Sequence, residues 1–185
     1  MGWVCMRRRQ VLAAAGAATS LSLAGCASPL DSRLRTTVRT DPHARMIQFF
    51  RGDTPFGSAR VQLDDGFDPA VLQFARYHHD GTRVASLRCR VRAEQDDRSV
   101  PQIALDSSTL RAFDIQLYRS STGNWTVLDV PPLGALGEGT FGVEFLVATH
   151  GDADLDRVTF EFELDLSDRF GVGTYTAAES VVFES

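Results

Sequence analysis

Apolar and polar residues alternate strictly along several segments of the chain, and this alternation limits the fold more than any other feature. The apolar positions of the clearest segment are Val158, Phe160, Phe162, Leu164 and Leu166. The positions between them are Thr159, Glu161, Glu163 and Asp165. Successive side chains of a β-strand point to opposite faces, so this spacing predicts a strand with one face in a core and the other in water.

Two further segments show the same alternation. Leu87, Cys89 and Val91 alternate with Arg88, Arg90 and Arg92, and Phe113, Ile115 and Leu117 alternate with Asp114, Gln116 and Tyr118. Weaker alternation predicts strands at Leu34–Val38, Ala44–Phe50, Gly57–Leu63, Val71–Tyr77, Gln102–Leu105, Asn124–Val130, Gly142–Thr149 and Thr174–Phe183. Val71–Tyr77 follows Asp68-Pro69 and is also compatible with a short helix.

Turn-forming residues separate these segments. Gly, Asp and Asn occur together at Arg51-Gly52-Asp53, Asp65-Gly66, Asp80-Gly81, Thr122-Gly123-Asn124 and Gly151-Asp152. Arg51-Gly52-Asp53 resembles an integrin-binding tripeptide, but its composition is what a tight turn requires, and we interpret it as a turn. About ten short strands joined by tight turns predict an all-β domain over residues 34–185. We expect an antiparallel β-sandwich, immunoglobulin-like or of a similar two-sheet architecture, rather than a closed barrel.

The first 25 residues have the features of a lipoprotein signal peptide. Arginines at positions 7–9 precede a mildly apolar stretch, Val11–Leu23, whose 13 residues are too few to span a membrane as a helix. The stretch ends in Leu23-Ala24-Gly25-Cys26, which resembles the lipobox of lipoprotein precursors. The resemblance implies cleavage before Cys26 and lipid on its sulfur. Residues 26–33 would then form a short lipidated tether.

The arginines also suggest a route of export. Arg8-Arg9-Gln10-Val11-Leu12 resembles the twin-arginine signal, in which Arg8 and Arg9 would be the recognised pair and the protein would cross the membrane already folded. An ordinary secretory signal with three arginines is the alternative, because both routes use a basic start.

The precursor as a whole is similar to the small twin-arginine lipoproteins of haloarchaea, a group with no assigned role. The similarity rests on the first 26 residues, the absence of lysine and the β-rich body. The mature chain is less acidic than is usual for haloarchaeal proteins, and a GC-rich bacterium is the alternative source.

Charge and cysteine content exclude several classes of function. The mature chain from Cys26 has 16 arginines against 24 acidic residues, a net charge of −8, which argues against general affinity for nucleic acid or anionic lipid. Cys89 would be the only ordinary thiol after processing, so no intramolecular disulfide can form. Its place in the alternation predicts that it is buried and unreactive.

Few residues suggest a chemical site. Asp152, Asp154 and Asp156 start like a calcium-binding loop, but the later glycine and glutamate of an EF-hand are missing. We therefore expect an ordinary acidic turn and no cofactor, with calcium at these three residues as the alternative. His78 and His79 are adjacent and would point to opposite faces of a strand, which argues against one shared metal. Asn124-Trp125-Thr126 is an N-glycosylation sequon at a predicted hairpin tip.

No sequence motif indicates catalysis. The chain has no Gly-x-Ser-x-Gly, no phosphate-binding glycine loop and no Cys-x-x-Cys. We therefore expect a non-catalytic binding or structural module of the cell envelope, anchored on the extracytoplasmic face of the membrane through Cys26, with a protein or glycan partner. The alternatives are an enzyme that acts on envelope or extracellular polymers through paired carboxylates, and a metal- or solute-binding lipoprotein.

Overall fold

The computed structural model describes most of the chain from residue 32 onward. The described residues are 32–65, 69–77, 81–96, 99–106, 115–132, 139–150, 153–168 and 173–184. Ser32–Ser185 form one compact unit. Cys26 and the predicted signal residues lie outside the described residues. Within the described ranges, no helix has the length and apolar composition needed to cross a membrane.

The described part of the chain is almost entirely β-strand. The strands in chain order are β1 (Arg35–Asp41), β2 (Ala44–Arg51), β3 (Thr54–Asp64), β4 (Ala70–Tyr77), β5 (Thr82–Gln95), β6 (Gln102–Leu105), β7 (Gln116–Arg119), β8 (Thr126–Val130), β9 (Phe141–Ala148), β10 (Leu155–Asp168) and β11 (Thr174–Glu184).

The strands form two antiparallel sheets that pack face to face. The six-stranded sheet has the order β1-β2-β3-β4-β9-β6, and the five-stranded sheet has the order β11-β10-β5-β8-β7. The apolar positions of each alternating segment point into the space between the sheets, so the predicted all-β sandwich is confirmed.

Aromatic rings fill the centre of the core. Phe74 of the six-stranded sheet lies 5.5 Å from Phe160 and 5.2 Å from Phe162, measured between ring centroids. Both partners come from β10, the strand with the longest predicted alternation. Cys89 is fully buried beside these rings in the same core, as predicted.

The edges of the two sheets meet along a seam between β1 and β11. The Leu34 backbone N–H donates to the Thr176 carbonyl at 2.9 Å, and Thr36 Oγ1 donates to Glu179 Oε2 at 2.6 Å. Arg45 Nη2 then donates to the Val182 carbonyl at 3.0 Å. These bonds occupy part of the free edge of β11, which would otherwise present unpaired backbone groups.

The strand directions define two ends of the sandwich. We call the end where β1 begins the tether end, because residue 32 enters the fold there. β2, β4 and β10 finish at the tether end, and β3, β5, β9 and β11 begin there. The opposite end, which holds the turn between β7 and β8, is called the far end.

Two local predictions need correction. The alternative helix at Val71–Tyr77 is wrong, because these residues lie in β4 between β3 and β9. Leu117 was predicted to face the core but is 38% exposed. It lies in β7, a four-residue strand at the edge of its sheet, where neighbouring strands cover only one side.

Candidate binding site

Charged side chains cover the outer face of the five-stranded sheet. Three arginines, Arg88, Arg90 and Arg92, project from β5 on the side opposite the core, because the residues between them are buried. β5 lies between β10 and β8, so these arginines face neighbours on both sides. We call this surface the arginine face.

Carboxylates of β10 lie opposite the arginines of β5. The strand register pairs Arg90 with Glu161 and Arg88 with Glu163. Arg90 Nη1 lies 2.9 Å from Glu161 Oε2, in an ion pair whose side chains are both about one-third to two-fifths exposed. Exposed pairs of this kind contribute less than about 1 kcal/mol to stability. Their main effect is to hold the side chains in defined positions.

Asp129 of β8 is the centre of a second network on the arginine face. Its Oδ1 accepts a hydrogen bond from Arg88 Nε at 2.6 Å, and its Oδ2 accepts one from the Tyr118 hydroxyl at 3.0 Å. The hydrogen bond from Arg88 lowers the pKa of Asp129. The hydrogen bond to Asp129 raises the pKa of Tyr118. Asp129 is therefore held ionised and oriented by two neighbouring strands.

Trp125 lies under two of the arginines. The guanidinium carbons of Arg90 and Arg92 are 4.5 Å and 4.9 Å from the ring centroid of Trp125. The tryptophan is only 8% exposed. A guanidinium at this distance is attracted to the indole ring, so Trp125 positions the arginines. It is too covered to serve as an open stacking platform for a sugar or base.

A shallow groove of about 370 Å³ crosses the arginine face. Its lining residues are Arg33, Arg88, Arg90, Glu161, Phe162, Glu163, Ala178, Glu179 and Ser180. Ala178 and Ser180 of β11 are short, so the longer side chains of β5 and β10 stand above them. The groove presents hydrogen-bond donors beside acceptors, which suits a polar partner. We call it the arginine-face groove.

Three glutamates line this groove, and two of them, Glu161 and Glu163, come from β10. Glu161 and Glu163 are two residues apart on one strand, which places their Cα atoms about 6.6 Å apart for a rise of about 3.3 Å per residue. Acid and base carboxyl groups lie about 5 to 10 Å apart in enzymes that cleave glycosidic bonds, and side chains on Cα atoms at this spacing can reach such a separation. Glu161, however, is already engaged by Arg90.

The predicted calcium-loop residues are only partly described. Asp152 lies outside the described residues, and Asp154 and Asp156 are exposed at the far end. The ranges that the structure describes contain no group of three side chains arranged to hold a metal ion. His78 and His79 also lie outside the described residues.

Asn124 and Asp156 lie in the same depression at the far end. This depression has a volume of about 530 Å³ and is also lined by Arg92, Glu94 and Asp96. Arg92 Nε is 3.2 Å from Glu94 Oε1, so the two side chains form an ion pair. The geometry of this contact is not that of a hydrogen bond. The structure therefore brings together one predicted glycosylation residue and one predicted calcium residue that are 32 positions apart in sequence.

Two predicted turns are confirmed by their backbone conformation. Asn124 has a φ of 53° and lies in the turn between β7 and β8. Gly52 of Arg51-Gly52-Asp53 has a φ of 60° and joins β2 to β3. The left-handed region that these angles define favours glycine and asparagine, which explains both residues.

Sequence reasoning missed Asp129, Tyr118 and Trp125 as members of the site. They lie beside the arginines only because β8 pairs with β5, across 41 residues between Arg88 and Asp129, and alternation within one strand does not reveal that pairing. The one signal in the sequence was the alternating series Arg88, Arg90 and Arg92 on the solvent-facing side of β5. Three such arginines require hydrogen-bond acceptors nearby.

Residues 33–185 match a family model described as Domain of unknown function (DUF8121). No curated protein matches the chain.

Proposed function

The chain belongs to the family described as Domain of unknown function (DUF8121), and we propose that it is a lipid-anchored extracytoplasmic lipoprotein whose β-sandwich is a non-catalytic binding module of the cell envelope. Cys26 carries the lipid, and residues 26–33 connect the lipid to the sandwich. The partner is a protein or glycan that binds in the arginine-face groove.

The lipobox-like Leu23-Ala24-Gly25-Cys26 supports the anchor. The family match begins at residue 33, at the end of the proposed tether, so signal and tether precede the matched domain. Arg33 forms a parallel bridge with Thr176 of β11, which fixes the point where the tether joins the sandwich.

The arginine-face groove is the single observation that carries the binding proposal. Its guanidinium and carboxylate groups are held by ion pairs and by cation–π contacts with Trp125 before any partner arrives. Groups that are already oriented lose little conformational entropy on binding, which favours recognition of a polar partner. The positions of donors and acceptors would set specificity.

Substitution of Cys26 by serine tests the anchor. We expect Cys26→Ser to leave the protein unprocessed or to release it from membranes washed with high salt, because the 13 residues of Val11–Leu23 are too few to span a membrane and high salt screens electrostatic contacts with lipid. Fractionation and mass measurement of the protein from its own host would show either result. Normal processing with full membrane retention would contradict the proposal.

Filling the groove tests the binding module. Ala178→Arg places a long side chain in the groove, whereas Ala104→Arg places the same side chain on the outer face of the six-stranded sheet. Each protein is isolated from its membrane with mild cross-linking, and the bound material is identified by mass spectrometry. We expect a partner on the wild type and on Ala104→Arg but not on Ala178→Arg. The same partner on all three proteins would contradict the groove as the binding site.

Paired Glu161 and Glu163 support an enzyme as a second candidate function. Such an enzyme would cleave an envelope or extracellular polymer with one carboxylate as acid and the other as base. Hydrolysis of cell-wall polymer by the wild type, abolished in Glu163→Gln, would favour this candidate over the binding module.

Calcium binding at Asp152, Asp154 and Asp156 is the third proposal, and it is tested by thermal unfolding with and without calcium. A ligand that binds only the folded state stabilises it by RT ln(1 + [L]/Kd), so added calcium should raise Tm, and an unchanged Tm would contradict the proposal. Glycosylation of Asn124 is a separate proposal, which the mass of the native protein tests directly. Loss of the added mass in Asn124→Gln would locate the glycan.

A further inference from the structure

The exposed charges of the sandwich differ between its two ends. Six of the strands with a terminus at each end of the sandwich are β1, β2, β3, β5, β10 and β11. The exposed arginines within two residues of their termini at the tether end are Arg33, Arg35, Arg51 and Arg83. The carboxylates described there are Asp53 and Asp168. At the far end of the same strands, the carboxylates are Asp41, Asp64, Asp65, Glu94, Asp96, Asp154, Asp156 and Glu184. They outnumber the arginines there, which are Arg39, Arg45 and Arg157.

Aromatic rings accompany the arginines of the tether end. The guanidinium carbon of Arg35 lies 4.7 Å from the ring centroid of Phe50, and that of Arg51 lies 4.7 Å from the ring centroid of Tyr175. Phe56 packs edge-on against Tyr175 with ring centroids 5.0 Å apart. Two of the four arginines of the tether end, Arg35 and Arg51, are therefore held on aromatic rings.

We propose that the tether end docks onto anionic phospholipid headgroups of the membrane in which Cys26 is anchored. The inference rests on the proposed lipid anchor, since the anchor brings this end to the membrane. Ser32 lies six residues after Cys26, and a fully extended chain of that length spans about 20 Å. The arginines are thus always within reach of the surface that holds the lipid.

The chemistry of the tether end suits a headgroup layer. Guanidinium groups bind phosphate oxygens through paired hydrogen bonds, and arginine clusters next to a membrane are attracted by anionic lipid. Phe50, which is half-buried beside Arg35, adds an apolar surface of the kind that the membrane interface accepts.

The net charge of −8 does not oppose this docking, because charge at a membrane acts locally. Electrostatic attraction decays over a Debye length of about 8 Å at physiological ionic strength. The carboxylates of the far end lie a full strand length away, which is about 35 Å for the 11 residues of β11. If the far end approached the anionic membrane, repulsion of its carboxylates would turn that end away from the membrane. The Asn124 turn would face outward with it.

Vesicle binding tests the proposal without the lipid anchor. The protein is the mature chain from residue 26 with Cys26→Ser, which keeps the compact unit from Ser32 and carries no lipid. It is sedimented with vesicles of phosphatidylcholine and phosphatidylglycerol in equal parts, and with vesicles of phosphatidylcholine alone. We expect binding to the anionic vesicles only, weakening as salt is added.

Charge-removing variants locate the surface. Each arginine near an anionic surface contributes about fivefold in affinity, so Arg35→Gln, Arg51→Gln and Arg83→Gln together should weaken binding about a hundredfold. The matched control removes three exposed arginines away from the tether end: Arg39→Gln, Arg119→Gln and Arg157→Gln. The control should bind like its parent, and circular dichroism shows whether both variants are folded.

Three outcomes would overturn the proposal: no preference for anionic vesicles, equal loss of binding in both triple variants, or a loss confined to the control. If the tether-end variant does not fold, the single change Arg83→Gln gives the same test with an expected fivefold effect. Failure of Cys26 lipidation in cells would leave the vesicle result unchanged, so the two proposals fail separately.

Discussion

Arg76 Nη2 donates a hydrogen bond of 2.6 Å to Thr82 Oγ1, and both residues are buried within the sandwich. Arg76 is 1% exposed, and its Nη1 donates to the Gly139 carbonyl at 2.9 Å. Both of these acceptors are neutral. Burial lowers the pKa of Arg76, because a charged guanidinium loses solvation in the core. The Arg76 side chain connects the end of β4 to the start of β5 and to the segment before β9.

The Arg76–Thr82 bond gives the first prediction. Thr82→Val keeps the shape of the side chain but removes the acceptor from a buried charged donor. The free energy of unfolding should fall by about 2 kcal/mol, within the usual range for an unsatisfied buried group. Urea unfolding measures the change. Thr37→Val, at an exposed position of β1, is the matched control and should change stability by less than about 0.5 kcal/mol.

Cys89 gives the second prediction. Burial raises the pKa of its thiol well above the ordinary value, and the side chain has no exposed surface. The folded protein should therefore react with a thiol reagent only at its rate of opening, whereas the denatured protein should react at once. Cys89→Ala should lower the free energy of unfolding by about 1 kcal/mol, since it removes a small buried group. Rapid labelling of the native protein would contradict this burial.

The fold could be predicted because alternation reports burial residue by residue. The predicted segments 87–92 and 158–166 lie inside β5 and β10, with the predicted faces. The alternation underestimated the length of both strands, each of which has 14 residues. The ends of β5 carry polar residues at inward positions, the buried Thr82 and Gln95, so the alternation of apolar residues did not mark these ends.

The candidate site could be predicted only in part, because it depends on pairing between distant strands. The prediction that the arginines of β5 lie on its solvent-facing side is confirmed. Their pairing with Glu161 and Asp129 depends on a register across 71 and 41 residues respectively, which a single strand does not encode. Arg76 was overlooked, although it continues the inward-facing series Leu72 and Phe74 along β4.

The route of export gives the third prediction. Replacing Arg8 and Arg9 together by lysine keeps the positive charge but removes the arginine pair. If the twin-arginine resemblance is correct, export of the double variant should stop, because that route recognises the arginine pair itself. An ordinary secretory signal needs only positive charge, so it would still export the variant. Immunoblotting of cytoplasmic and membrane fractions measures the result. A double variant exported at the wild-type level would favour the ordinary route.

Asp129 gives the last prediction, which concerns pH. Arg88 lowers the pKa of Asp129 in the folded protein, so the ionised carboxylate stabilises the fold at pH values above its unfolded pKa, which is about 3.9. This stabilisation is lost as pH falls through the lowered pKa. Asp129→Asn should therefore reduce stability at neutral pH by less than about 1 kcal/mol, since the network is largely exposed, and the difference from wild type should shrink in acid.

The same variant affects Tyr118 at the alkaline end. The hydrogen bond to Asp129 raises the pKa of Tyr118, so its removal should return that pKa toward about 10. Ultraviolet absorbance of tyrosinate measures the titration, and Tyr118→Phe identifies the contribution of this residue among the three tyrosines. An unchanged alkaline titration in Asp129→Asn would show that the hydrogen bond does not hold Tyr118 in solution. The edge strand β7 would then not be fastened to the arginine face through this contact.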